Sequence, residues 1–199
     1  SSGNVLSIYE LNGFWNKVPG ALTLNPVYVS PYSTPLNDAQ QKGNGRRLDI
    51  KKNRIRSTYF ANGILHYAYI TPTSAFGAVS AIAYGRYDVS TKSNTMTYIG
   101  ATGFNYAFPA IMHFSNLDAK NNTLITFLAS NNTIYPEVRA LMIDEKMQAS
   151  ASIQVKAGDS YVNYGIGNNE RWGDYTGIAR KYNSVNPEVW VFGCYGETN

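Results

Sequence analysis

Arg54-Ile55-Arg56-Ser57-Thr58-Tyr59-Phe60-Ala61-Asn62-Gly63-Ile64-Leu65-His66-Tyr67-Ala68-Tyr69-Ile70 decides the fold. Two runs rich in β-branched and aromatic residues flank Asn62-Gly63, a pair that suits a tight turn because both residues tolerate left-handed backbone. Residues 54–60 and 64–70 therefore read as antiparallel strands. Val79 to Val89 supplies a third run and Thr95 to Ile99 a shorter fourth, so one four-stranded unit fills this part of the chain.

The pattern recurs on both sides. Downstream, Ala107 to Phe114 and Thr123 to Ala129 flank the polar turn Asp118 to Asn122, and Tyr135 to Ile143 and Ser150 to Lys156 follow. A last pair runs from Tyr175 to Lys181 and, after a turn at Asn183 to Pro187, from Val189 to Tyr195. Ile55, Ile111 and Ile178 hold corresponding places in the three leading strands. Upstream, Val5 to Leu11 ends at Asn12-Gly13, and Ala21 to Ser30 carries Pro26, which marks an edge because proline donates no ladder hydrogen bond. Pro31 to Gly45, rich in turn-forming residues, reads as a loop.

The expected fold class is all-β, a β-propeller of four-stranded antiparallel blades. Residues 1–46 make the end of a preceding blade plus a loop, 47–100 and 101–160 a blade each, and 161–199 the inner strands of a final blade. Two strands, two four-stranded units and two final strands are equivalent to about three blades, whereas propellers typically close with about four to eight. An open fan would leave strand edges and apolar faces in water. The chain is thus expected to be part of a larger propeller whose remaining blades lie upstream or on another chain. Ser1-Ser2-Gly3 reads as a processing scar, and a chain that starts inside a strand as one that has lost its beginning.

Composition agrees with a sheet protein. The chain of 199 residues has 16 tyrosines, and its 14% aromatics nearly equal its 15% charged residues. Its formal charge is +4, with the basic residues scattered apart from Arg46-Arg47 and the run Lys51 to Arg56. That run reads as a solvated loop and strand edge, and no nucleic-acid partner is expected without a larger basic field interleaved with aromatics. The single Cys194 excludes an internal disulfide and a cysteine zinc site, and its apolar neighbours suggest a buried structural thiol. His66 and His113 lack a ligand partner at metal spacing, and the Asp118–Asn122 loop departs from calcium loops. No metal, cofactor or membrane span is expected.

Glu170-Arg171-Trp172-Gly173-Asp174-Tyr175-Thr176-Gly177-Ile178-Ala179 gathers charge, aromatic surface and two glycines ahead of an apolar strand. With Val189-Trp190-Val191-Phe192, the run Arg171 to Ile178 resembles the final blade of secreted bacterial β-propeller proteins described as sialidase-like, or exo-sialidase-fold. Arg47-Leu48-Asp49 before the Asn62-Gly63 hairpin, Tyr106 to Ile111, and Tyr135-Pro136-Glu137-Val138 extend the resemblance over most of residues 46–195. It implies a secreted or cell-surface bacterial protein. A sialidase-type site would also need an arginine cluster, a tyrosine nucleophile activated by a glutamate, and an acid/base aspartate. Arg171, Arg139, Arg56, Tyr175, Glu137 and Asp174 are single candidates that no spacing joins. The repeated aspartate-box turns are absent, since Ser115-Asn116-Leu117-Asp118 lacks the register and the glycine.

Arg171 and Asp174 read first as an ion pair or turn-capping carboxylate that pins the chain before a strand. The alternative places them at a blade rim or central channel, able to bind sugar hydroxyls or a cation. Trp172, Tyr106 and Phe108 read as packing between blades, with sugar stacking as the alternative; Tyr175 completes the candidate ligand-binding set. Three functions stay open. They are a non-catalytic segment for adhesion or for binding glycan or a surface protein, a sialidase-like glycoside hydrolase completed by missing blades, and a structural propeller in a surface assembly.

Overall fold

Side chains alternate across a strand, so each sheet must bury two different faces or leave one to water. The computed structural model describes residues 2–12, 21–33, 37–43, 46–50, 54–77, 79–115, 120–165, 167, 169–174, 176–181, 183–184 and 186–198. Among them the regular structure is antiparallel strand, apart from one short parallel pair and a single 3₁₀ turn at Ser74–Phe76. Among the described residues no helix is long and apolar enough to cross a membrane. The all-β expectation holds.

β1 (Ser2–Asn12) and β2 (Ala21–Ser33) form an N-terminal hairpin. After β3 (Arg47–Leu48) come β4 (Ile55–Ala61), β5 (Ile64–Pro72), β6 (Ser80–Asp88) and β7 (Asn94–Ile99), a four-stranded meander in chain order. A second meander contains β8 (Asn105–His113), β9 (Thr123–Ser130), β10 (Glu137–Ile143) and β11 (Ile153–Lys156). The short β12 (Asn169–Glu170) pairs in parallel with β3, and β13 (Gly177–Arg180) with β14 (Val189–Phe192) makes a C-terminal hairpin. At the turn between β4 and β5, Asn62 has φ 53° and Gly63 φ 76°, the left-handed pair that Asn-Gly supplies.

Three cores join these sheets. The inner face of the N-terminal hairpin, with Leu6, Ile8 and Val27, packs on Tyr67, Tyr69 and Tyr87 of the first meander. The opposite face of that meander meets the second through Ile82, Tyr84, Tyr106, Ile111 and Phe127. A third core packs Phe108, Leu128 and Val138 of the second meander with Leu48, Ile50 and Ile70, and with Trp172, Cys194 and Tyr195. The leading strands meet directly as well. Ile111 N–H donates to Ser57 Oγ at 3.1 Å, and Thr176 Oγ1 donates to the Phe108 carbonyl at 2.8 Å.

The parallel pair β3–β12 had no counterpart in the sequence reading, which ran a plain loop up to Gly45. β2 continues to Ser33, and Ala39 bridges to Leu48. Gln41 mimics a strand neighbour, accepting from Val162 N–H at 2.8 Å and donating Nε2 to its carbonyl at 2.9 Å. Lys51 to Asn53, Gly13 and Asp118 lie outside the described residues. In the turn after β9, Asn131 is buried and its Oδ1 accepts from Thr133 and Ile134 N–H.

A buried polar network crosses the joint between the two meanders. His66 Nδ1 and Tyr84 Oη lie 2.7 Å apart, and Tyr84 Oη and Tyr59 Oη reach Thr123 Oγ1 at 2.6 and 2.5 Å. The Tyr59 ring stacks on His66 at 4.2 Å. Arg86 donates Nε to Tyr84 Oη and uses Nη1 and Nη2 on the carbonyls of Glu145, Asn121 and Asp144. Burial first, then the Arg86 cation and His113, pushes His66 down to about 3. The folded protein thus refuses a proton that the unfolded chain accepts below its ordinary value near 6.5. Stability is complete above that value and declines as the pH falls from it toward 3, by about 1.4 kcal/mol per pH unit. In urea unfolding, wild type should lose about 2 kcal/mol more than His66→Gln between about pH 7 and pH 5. Equal losses would show that His66 stays uncoupled from folding.

Candidate functional site

Asp174 sits between two guanidinium groups. Arg171 Nη2 donates to its Oδ2 at 3.0 Å, and Arg56 Nη1 stands 3.8 Å from its Oδ1. Arg171 is largely exposed, so its pairing is worth at most about 1 kcal/mol. Arg56 comes from the start of β4, where a register shift between Ile55 and Ser57 accompanies the change in its direction. Its guanidinium lies 4.7 Å over the Phe108 ring, and burial pulls it below its ordinary value while Asp174 partly restores it.

The backbone under this cluster is unusual at two places. Phe108 has φ 51°, a left-handed conformation that bulky residues rarely adopt, and the β8–β9 register shifts between Ala107 and Ala110. Pro109 explains the break, since it brings no N–H to the ladder. Facing Phe108, Gly173 has φ 81°, and a Cβ there would run into the Leu128 and Phe108 side chains. Only glycine satisfies both demands, and this close approach aims Arg171 and Asp174 outward.

Arg171 to Asp174 form one wall of an open concavity of about 430 Å³. Val162 and Tyr164 make the second wall, Cys194 and Tyr195 the third. Each wall is pinned separately. The buried Glu170 carboxylate accepts N–H bonds from Tyr164 at 3.0 Å and Gly165 at 2.7 Å, and pairs with Arg46 at 3.2 Å. Gly196 N–H donates to the Pro136 carbonyl at 2.9 Å, and its own carbonyl accepts from Asp159 N–H at 2.7 Å. Tyr195 also lies 4.7 Å beneath the Lys156 ammonium. The result is a cleft with one exposed cation, one half-buried carboxylate and an exposed aromatic face, that of Tyr164.

The candidates from sequence divide in space. Arg171, Trp172 and Asp174 share the cleft, with Arg56 behind them. Trp172 is only 6% exposed and packs into the core behind the wall. Phe108 is buried under Arg56, and Tyr106 belongs to the core between the meanders, 4.5 Å from Phe127. Tyr175 lies outside the described residues. Glu137 and Arg139 join each other at 2.5 Å on β10, with Gln154 Nε2 donating to Glu137 at 2.6 Å and Arg139 Nη1 to Ser152 at 2.9 Å. Cys194 is half-buried on the cleft wall rather than buried. Tyr164 and Tyr195 escaped the sequence reading because they follow no motif and reach the cleft through Glu170 and Gly196.

Among the described residues no group of three or more His, Cys, Asp and Glu side chains could hold a metal ion. In comparisons with known proteins, no family model, no curated protein and no solved structure matches the chain.

Gly173→Ala should destabilise the protein by about 1–3 kcal/mol beyond Gly103→Ala, because Gly103 also has positive φ (78°) but meets nothing within 4 Å. Thermal unfolding of the two variants measures the difference, and equal shifts would assign the effect to backbone strain alone.

Proposed function

We propose that this chain is a non-catalytic β-propeller segment of a secreted or cell-surface bacterial protein, and that the cleft at Arg171 and Asp174 binds a glycan. One observation carries the reading: an exposed guanidinium and a carboxylate 3.0 Å apart stand at the mouth of a cleft whose rim includes the exposed ring of Tyr164. Sugars present hydroxyls to charged groups that donate and accept hydrogen bonds, and apolar ring faces to aromatic surfaces. A ligand carboxylate would compete for Arg171 with Asp174, so neutral or amino sugars suit the site better than acidic ones.

Two features support the propeller. The N-terminal hairpin and the two meanders pack face to face in chain order, and the leading strands β4 and β13 both lie against β8. The resemblance of residues 171–178 to the final blade of sialidase-like proteins supports the same reading. A sialidase-type turnover would need a tyrosine nucleophile, its activating glutamate and an acid/base aspartate converging on one bond. Glu137 pairs with Arg139 on β10, while Asp174, in the turn before β13, faces Arg56 and Arg171. This division favours binding over turnover.

A glycan array with wild type and Arg171→Ala tests the reading. Arg171 is largely exposed, so the variant should keep its melting temperature and lose about tenfold or more in affinity, roughly 1.4 kcal/mol. Turnover of fluorogenic glycosides, or array binding that Arg171→Ala leaves intact, would overturn it.

A further inference from the structure

We infer that the cleft opens onto a longer tyrosine platform, so that its ligand is an extended chain of neutral or amino sugars gripped along its length; the inference rests on the glycan-binding reading above. A single sugar unit would need only Arg171, Asp174 and the ring of Tyr164. The surface goes further than that. Tyr161, 38% exposed, stands three residues before Tyr164, 71% exposed, on the segment that makes the second cleft wall. Its ring lies against Gly43, where a side chain would begin 3.0 Å from Tyr161 Cδ1 and 3.6 Å from Tyr135 Cε1, so Tyr161 and Tyr135 are neighbours. Aromatic surface thus continues from Tyr164 at the cleft, by way of Tyr161, to the half-buried Tyr135.

Backbone bonds stitch separate segments into this surface. Lys42 N–H donates to the Ile134 carbonyl at 3.0 Å, and Asn131 Oδ1 braces the turn before Tyr135 by accepting from Thr133 and Ile134 N–H. The third cleft wall returns to the same place, because Gly196 N–H holds the Pro136 carbonyl while its own carbonyl accepts from Asp159 and Ser160 N–H. A Cβ on Gly196 would run into the Ser160 carbonyl, and one on Gly158 into the Pro136 carbonyl. The segments approach too closely for either side chain. Rings held this firmly lose little freedom when a ligand settles on them, and each ring covered adds apolar contact. Affinity therefore grows with the length of the sugar chain.

The charges beside the platform select the class of chain. Lys156 pairs with Asp159 at 3.5 Å and Arg46 with Glu170 at 3.2 Å, as Arg171 does with Asp174. The Lys42 ammonium rests 4.7 Å over the Tyr135 ring, and that of Lys156 equally far over Tyr195. Cations that are paired or seated on rings make a poor track for a polyanion. Their N–H groups and the carboxylates beside them still offer hydrogen bonds to the hydroxyls of an uncharged chain.

Affinity electrophoresis through gels containing mannan, xylan, β-glucan or glycol chitin tests the platform, followed by calorimetric titration with monomer-to-hexamer oligomers of the sugar in each polymer that retards the protein. At least one polymer should retard it, with affinity rising about tenfold or more from disaccharide to hexamer. Tyr161→Ala should abolish most of that gain, Tyr161→Phe, which keeps the ring, should restore it, and Arg171→Ala should weaken oligomers of every length. The length series of the wild type decides by itself if Tyr161→Ala does not fold. Affinity independent of length, still lost in Arg171→Ala, overturns the platform and leaves the cleft reading standing. Retardation by none of the polymers also overturns the platform, and no binding on the glycan array either would sink both. Tighter binding to alginate than to any of these polymers, abolished by salt, would overturn the assignment to an uncharged chain.

Discussion

Arg86 spans the joint between the two meanders, and the rest of the stack depends on what it satisfies there. Its guanidinium reaches one phenol and three backbone carbonyls, those of Asn121, Asp144 and Glu145. These carbonyls belong to segments flanking β9 and β10, so one side chain fixes the angle at which the second meander meets the first. Unmet carbonyls in such a place would each cost about 1–3 kcal/mol. Thr123 completes the joint by accepting or donating to Tyr59 and Tyr84 across it. Arg180 repeats the device one sheet further on. It donates Nη2 to the Ser115 carbonyl and Nη1 to His113 Nδ1, both at 2.9 Å, while His113 Nε2 donates to the Lys120 carbonyl. On each side of the second meander, one arginine therefore reaches across to bond its backbone.

The strands were legible because they rest on local rules. Asn62-Gly63 dictates a hairpin by backbone preference alone, and the runs on either side alternate as a half-buried sheet requires. Eight strands of the two meanders lie close to where the pattern put them. The parallel pair β3–β12 was not legible, since it is two residues long and joins positions over a hundred apart, held by the Gln41 and Arg46 side chains. The end of β14 is similar. The sequence runs on as if the strand continued to Tyr195, but Gly193 packs against Leu128 and Val138 and the chain turns to bond Pro136.

The cleft was half legible. Charge and glycine at Arg171-Trp172-Gly173-Asp174 drew attention to one wall, and its arginine and carboxylate do form a pair. Arg56 stood in the sequence as an isolated candidate, and only packing against Phe108 brings it to Asp174. Tyr164 and Tyr195 were invisible among 16 tyrosines, because nothing in their neighbours distinguishes them. Aromatic content alone misleads in a sheet protein, where a ring is more often core than ligand platform. Tyr106 and Phe108 show this: both are buried, at opposite faces of β8.

The two ends of the stack differ from its interior joints in chemistry. Inside, arginines carry the specificity and the apolar residues the area. On the outer faces, Tyr9, Leu11, Leu22 and Leu24 at one end and Trp190 and Phe192 at the other supply area without a buried cation to read a neighbour. Selectivity at these faces must then come from backbone edges, because an open strand edge fixes direction and register through its hydrogen-bond ladder. A partner that presents only a greasy surface would satisfy the rings and leave the edge amides unpaired. A partner that presents a strand edge beside an apolar face satisfies both.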